Sequence, residues 1–143
     1  DASRIGIWGW SFGGFETTYA MTHSKLFAAG AAVAPVTDWH FYDSIYTERY
    51  MGKPQDDPTA YEASSVLNSA ASLNGPLLIQ HGTADDNVHM ANTISLLQRF
   101  ILANETRVQF FPYPRKVHSI NGLAQRRSVY GRMLDFWRSV FHV

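Results

Sequence analysis

Residues 5–14 are Ile5-Gly6-Ile7-Trp8-Gly9-Trp10-Ser11-Phe12-Gly13-Gly14. An apolar run that begins with two isoleucines fits a short buried strand, and Phe15 to His23 beyond it has helical spacing. One hydroxyl therefore stands between two glycines where a strand gives way to a helix. Gly9-Trp10-Ser11-Phe12-Gly13 fits Gly-x-Ser-x-Gly, in the strand-then-helix context that this motif requires. A turn that sharp strains the serine backbone, and side chains at the flanking glycines are expected to collide with the neighbouring strand and helix. Lifted clear of the sheet, Ser11 can present its oxygen as a nucleophile. The Phe12 amide, at the helix N-terminus, can donate to a developing oxyanion.

Outward from that turn, apolar runs recur at Arg4 to Trp10, Ala28 to Val36, Pro76 to His81 and Arg107 to Tyr113. Each is short and bounded by turn residues, the pattern of strands buried on both faces of a parallel sheet. Helical spacing fills the gaps at Met90 to Asn104 and at the C-terminus, where Val129, Met133, Phe136, Trp137, Val140 and Phe141 share a stripe. Strands alternating with helices predict an α/β fold with a mostly parallel, helix-covered sheet. The long connection from Thr37 to Gly75 is too long for a structureless loop in a compact domain. It predicts one helix over Trp39 to Tyr50 and another near Tyr61 to Leu67, parted by the turns around Pro54 and Pro58.

Composition narrows the function. The 143 residues carry 12 basic and 12 acidic side chains, so no general attraction to nucleic acid or an anionic membrane is expected. With no cysteine, disulfides, thiolate metal sites and a cysteine nucleophile are excluded together, and the redox compartment is left open. Asp1 opens the chain and the first strand follows almost at once. The sequence is expected to be a piece of a longer polypeptide, a reading that four strands, few for a sheet covered on both faces, support.

A serine hydroxyl is a weak nucleophile and needs a base with an orienting acid, which in this fold class follow in the order serine, acid, histidine. The acid should sit just past a strand's C-terminal end. Asp85, in His81-Gly82-Thr83-Ala84-Asp85-Asp86-Asn87-Val88, is so placed, with Asp86 its nearest rival. The histidine should follow the last strand, and His118 does. His23 and His142 lie near helix ends, where capping or solvation explains them, and His40 sits in the long connection, able to face the cleft. His81 ends a strand and is expected to bond locally, and His89 opens a helix. There is no His-x-x-x-His pair, so no metal or other cofactor is expected.

The segments "GWSFGG", "AAVAPVTDWHFYDSIYTERYMG", "LLIQHGTADDNVH" and "YPRKVHSI" resemble, in order and spacing, the catalytic domain of the prolyl oligopeptidase family (peptidase family S9), most of all its dipeptidyl peptidase IV branch. The resemblance runs from Asp1 to the C-terminus. It implies an α/β-hydrolase fold, of which residues 1–143 form the C-terminal part, with a β-propeller and the first strands of the hydrolase sheet lying outside them. It also implies Ser11 as nucleophile, Asp85 as orienting acid and His118 as general base. Phe12, Val36, Trp39, Tyr42, Tyr46 and Val88 would line a pocket for a proline-like ring, and Asn87 would hold a substrate carbonyl. An aromatic box suits a flat ring that has no N–H to satisfy. Phe12 stands where a tyrosine is common in the family, and Ser119 where glycine often follows the histidine; neither departure touches the triad.

The implied activity is release of N-terminal X-Pro or X-Ala dipeptides through an acyl-enzyme. The implied partners are a peptide substrate with proline or alanine near its N-terminus, the propeller region, and a second copy in a homodimer through the terminal helix. The implied location is periplasmic, secreted or anchored at the cell surface. A broader oligopeptidase, acylaminoacyl peptidase or esterase of the same family is the alternative within enzymes, and a non-catalytic interaction protein the alternative outside them. The family's second oxyanion donor and its amine-binding acids have no counterpart in these residues. The chain by itself is therefore expected to show little or no peptidase activity, since losing one oxyanion donor costs roughly 10²–10³ in rate.

Overall fold

Small and β-branched residues give the interior of the molecule its strands. The computed structural model describes residues 1–143, the side chain of Ala2 excepted. Four strands, β1 (Gly6–Trp10), β2 (Ala29–Val33), β3 (Leu77–Gly82) and β4 (Val108–Tyr113), form one parallel sheet in the order β1-β2-β3-β4. The register sets Trp10 beside Val33, Val33 beside Gln80, and Gly82 beside Tyr113. All four C-terminal ends therefore open on one rim, where an open α/β sheet carries its ligands.

Strand alternation divides the core into two. Leu77 and Ile79 face one way, into a cluster with Phe15, Met21, Tyr61, Val66, Leu96 and Phe100. Those side chains come from α1 (Phe12–His23), α3 (Pro58–Ser64), α4 (Val66–Ser69) and α5 (Ala91–Leu102). Leu78 faces the other way, with Ala29, Ala31, Val33 and Tyr113, against Val129, Met133 and Phe136 of α6 (Leu123–Phe141). The predicted helix-covered parallel sheet is therefore present. Among the described residues no helix is long and apolar enough to cross a membrane.

The strands differ from expectation in extent and burial. β2 ends at Val33 rather than Val36, because Ala34 turns to φ 45° and Pro35 has no N–H to give a ladder. β2 and β3 are buried throughout, but β1 and β4 lie at the sheet's edges and are partly exposed. Trp8 of β1 is 51% exposed, and Pro112 is tolerated in β4 because an edge strand needs fewer donors.

The long connection is also more broken than predicted. Trp39–Phe41 forms a short 3-10 turn, and a new helix, α2 (Ser44–Met51), starts at Asp43, whose carboxylate accepts from the Tyr46 N–H. A cap of this type contributes about 1 kcal/mol, enough to restart a helix here. Gly52, at φ 72°, ends α2. The helix expected over Tyr61 to Leu67 is split at Ser65, whose hydroxyl donates to Asp38 while the Val66 N–H turns to the Thr37 carbonyl.

Candidate active site

Ser11 caps β1 at φ 61°, ψ −118°, and α1 begins at the next residue. A backbone in this region costs of order 1–3 kcal/mol for a residue with a Cβ. It persists because the turn is held from both sides. The Ser11 N–H donates to the Val33 carbonyl, and the Ser11 carbonyl accepts from the Phe15 N–H. The hydroxyl makes no capping bond to α1 and lines a cavity instead. The Phe12 N–H belongs to the first turn of α1, where amides have no intrahelical acceptor and can serve an anion.

The two glycines of the motif do not play equal parts. A Cβ on Gly9 would come within 2.2 Å of the Gly13 carbonyl oxygen, so the first glycine is sterically required. A Cβ on Gly13 would meet nothing within 4 Å, contrary to the expected collision. The crowded position in α1 is Gly14, one residue on, where a Cβ would sit 2.9 Å from Pro35 Cα and 3.0 Å from the Val33 carbonyl oxygen. The first turn of α1 lies over the end of β2 at Gly14 and has already rotated Gly13 outward.

The loops after β3 and β4 are laced together. Thr83 N–H donates to the Tyr113 carbonyl, Ala84 N–H to the Lys116 carbonyl, and Arg115 N–H to the Thr83 hydroxyl. Gly82 is glycine because the Lys116 carbonyl approaches so closely that a Cβ would lie 2.2 Å from its oxygen. This lacing sets His118 Nδ1 2.7 Å from Asp85 Oδ2. Asp85 Oδ1 accepts from the Asn87 and Val88 amides at 3.0 Å each. Burial alone would push the Asp85 carboxyl up. Hydrogen bonds from His118, then His81, and from the Asn87 amide outweigh it and hold the group well below the ordinary aspartate range. Asp86, the rival acid, is exposed on the rim.

The Trp10 indole N–H donates to the His118 carbonyl at 2.9 Å, which ties the histidine loop to the residue before Ser11. With Nδ1–H given to Asp85, the other ring nitrogen of His118 is left as an acceptor. The hydrogen bonds among the described residues join His118 to Asp85 but do not include one from Ser11.

Ser11, Phe12, Val36, Trp39, Tyr42 and Tyr46 line a cavity of about 100 Å³. Its walls are an aromatic box: Trp39 and Tyr46 stack at 6.1 Å, and Tyr42 meets both edge-on, at 6.0 and 5.3 Å. Phe12 closes a side, 5.9 Å from Trp39. A space of that size admits one small ring. Of the other residues expected there, Val88 is fully buried in the same core cluster as Val36 and Trp39 and is not among the residues lining the cavity. Asn87 stands at the rim, where its Oδ1 accepts from the Tyr42 hydroxyl at 2.8 Å, leaving its amide N–H groups to donate outward. Burial, then the neighbouring Asp43, pushes the Tyr42 hydroxyl up, so it stays a donor.

The remaining histidines separate cleanly. His81 is buried and bonds to Thr93 and Val88. His23 bonds to the Tyr19 carbonyl and stacks on its ring. His40 pairs with Asp38 and, with His89, borders a shallow cavity beside Asn87. Among the described residues no three His, Cys, Asp or Glu side chains gather in a metal-holding group. Sequence reasoning missed the Trp10 tether and the Tyr42–Asn87 bond. Trp10 occupies a variable position of its motif, and neither contact joins residues near in sequence.

Comparison with known proteins gives a consistent result. The model of the prolyl oligopeptidase family matches residues 1–143. "Probable dipeptidyl-aminopeptidase B" of Ajellomyces capsulatus (strain NAm1 / WU24) is 46% identical over an alignment of 145 positions, covering 99% of this chain and 16% of that protein. The protein of the same name from Metarhizium robertsii is 47% identical with the same coverage. The crystal structure of Porphyromonas gingivalis dipeptidyl peptidase 4 superposes with a TM-score of 0.94 at 46% identity, over 97% of this chain and 20% of that one. The chain thus spans about a sixth to a fifth of the length of the proteins it matches.

Proposed function

Since the chain belongs to the prolyl oligopeptidase family, we propose that it supplies the nucleophile, base and orienting acid of a serine dipeptidyl peptidase. In this reading residues 1–143 are the C-terminal part of an α/β-hydrolase domain, and a β-propeller elsewhere in the whole protein captures the substrate amine. The reaction is release of N-terminal dipeptides with proline or alanine in second place. One observation carries the reading most of the way. The Asp85–His118 pair at 2.7 Å stands on the same rim as a serine held at positive φ beside a one-ring aromatic cavity.

The chemistry follows from the geometry. The penultimate ring of the substrate enters the box of Trp39, Tyr42 and Tyr46, which brings the scissile carbonyl to Ser11. His118, its Nδ1–H given to Asp85, takes the Ser11 proton through its other nitrogen as the hydroxyl attacks, and then delivers that proton to the leaving amine. The carbonyl oxygen gathers negative charge at the Phe12 N–H. Water, deprotonated by the same imidazole, then frees the dipeptide from Ser11. The Asn87 amide donates to a carbonyl of the bound dipeptide. The close match to two dipeptidyl-aminopeptidases favours this reading over a broader oligopeptidase or esterase.

The test uses the full-length protein, a fluorophosphonate probe and a chromogenic Gly-Pro substrate. Labelling and turnover that both vanish in Ser11→Ala support the proposal, with a fall of about 10⁶ in kcat expected. An unlabelled wild-type protein would point instead to a binding protein.

A further inference from the structure

The Asp85 carboxylate meets two imidazoles, and only one of them belongs to the proposed triad. His81, near the end of β3, has no exposed surface. Its place in the strand puts it on the same face as Leu77 and Ile79, toward α5. Its Nε2 lies 2.8 Å from the Val88 carbonyl and 3.2 Å from Asp85 Oδ2, and its Nδ1 lies 2.7 Å from the Thr93 hydroxyl of α5. Both groups facing Nε2 can only accept, so Nε2 carries the proton and Thr93 donates to the bare Nδ1. A neutral ring of this tautomer satisfies every polar atom without placing a charge in the core.

The carboxylate is then filled on both oxygens. Oδ1 accepts from the Asn87 and Val88 amides and Oδ2 from His118, while His81 Nε2, its N–H bonded to the Val88 carbonyl, packs against Oδ2 at 3.2 Å. A packed core histidine would be fully explained by Thr93 and Val88 alone. The 3.2 Å approach to Oδ2 goes further, because it adds a neighbour on the oxygen that orients His118.

We propose that His81, its ring anchored through Nδ1 by Thr93, is a positioning residue of the peptidase site, helping to hold the Asp85 carboxylate in the rotamer that meets His118. The inference rests on the triad reading given above. No proton moves through His81; it makes the acid rigid. Without His81 the carboxylate is held only by the Asn87 and Val88 amides on Oδ1 and by His118 itself, so the base loses part of its aim, an effect read in kcat rather than in substrate binding.

The experiment takes the full-length protein with His81→Leu, His81→Gln, Thr93→Val and Thr93→Ser. The Gln amide can still reach Val88 and Asp85, whereas Leu cannot donate. The expected result for His81→Leu is a kcat about 10- to 100-fold below wild type with KM within roughly 2-fold. Its far-downfield proton NMR resonance from His118 Nδ1–H, assigned by its absence in His118→Ala, is displaced or lost. His81→Gln recovers most of the rate and the resonance. Should His81→Leu fail to fold, the same comparison is read from Thr93→Val against Thr93→Ser, where only the serine keeps the donor. A wild-type rate and an unmoved resonance in the donor-less variants overturn the inference. So does an equal loss in the Leu and Gln variants with the resonance unchanged. If Ser11→Ala retains full turnover, the triad reading itself falls and this inference with it; if Ser11→Ala is dead while His81→Leu is normal, only the inference falls.

Discussion

The Trp10 indole nitrogen lies 2.9 Å from the His118 carbonyl oxygen, so the residue just before the proposed nucleophile holds the loop that carries its base. Trp10→Phe keeps an aromatic ring and removes the donor, leaving a partly buried carbonyl without it. A loss of about 1–3 kcal/mol of local stability is expected. Steady-state kinetics on the full-length protein should show reduced kcat, and hydrogen exchange should speed up in residues 114–120. Unchanged exchange there would mean that the tether is dispensable.

Gly9 and Gly13 should respond oppositely to the same methyl group. Gly9→Ala drives a Cβ into the Gly13 backbone, so a destabilisation at or above the 1–3 kcal/mol typical of overpacking is expected, with activity lost. Gly13→Ala meets open space on a helix and should stabilise by roughly 0.5–1 kcal/mol through helix propensity. Paired denaturation curves would settle both signs.

Tyr42→Phe leaves the box intact and removes only the hydrogen bond to Asn87. The Asn87 side chain is then free to rotate, and a hydrogen bond worth about 1 kcal/mol corresponds to roughly a 5-fold rise in KM. Saturation kinetics with a Gly-Pro substrate would show this with kcat little altered.

The Asp85 carboxyl is held below its ordinary range, so its ionised form stabilises the folded state at neutral pH. The sign follows from linkage. That contribution is complete above the unfolded value near pH ~4 and is lost as pH falls further toward the depressed folded value. Wild-type Tm should therefore drop more steeply below pH ~4 than that of Asp85→Asn, while the variant loses about 10⁴ in kcat at neutral pH. Parallel acid limbs in the two melting profiles would remove Asp85 from the account.

The features legible in the chain were those that local chemistry dictates. Ser11, Asp85 and His118 each follow the end of an apolar strand, and the punctuation by Gly82 and Pro114 marks where those strands stop. The aromatic cluster of Trp39, Tyr42 and Tyr46 was visible as residues of one short segment. What stayed hidden depends on chains meeting at a distance. The break at Ser65 is set by Asp38, 27 positions earlier, and the Trp10 tether spans 108 positions. The family resemblance places Val88 in the pocket wall. The loop instead turns its side chain inward, while its amide serves Asp85. The open space beside Gly13 likewise follows from how α1 is rotated on β2, which no local pattern encodes.

At φ 61°, ψ −118°, Ser11 occupies the mirror image of an ordinary extended conformation, one that glycine enters without penalty. A Ser11→Gly protein should accordingly melt above the parent, by an amount within the roughly 1–3 kcal/mol that the strained turn holds. Durability and reactivity thus pull against each other at a single Cβ: whatever keeps the alcohol there does so at the fold's expense.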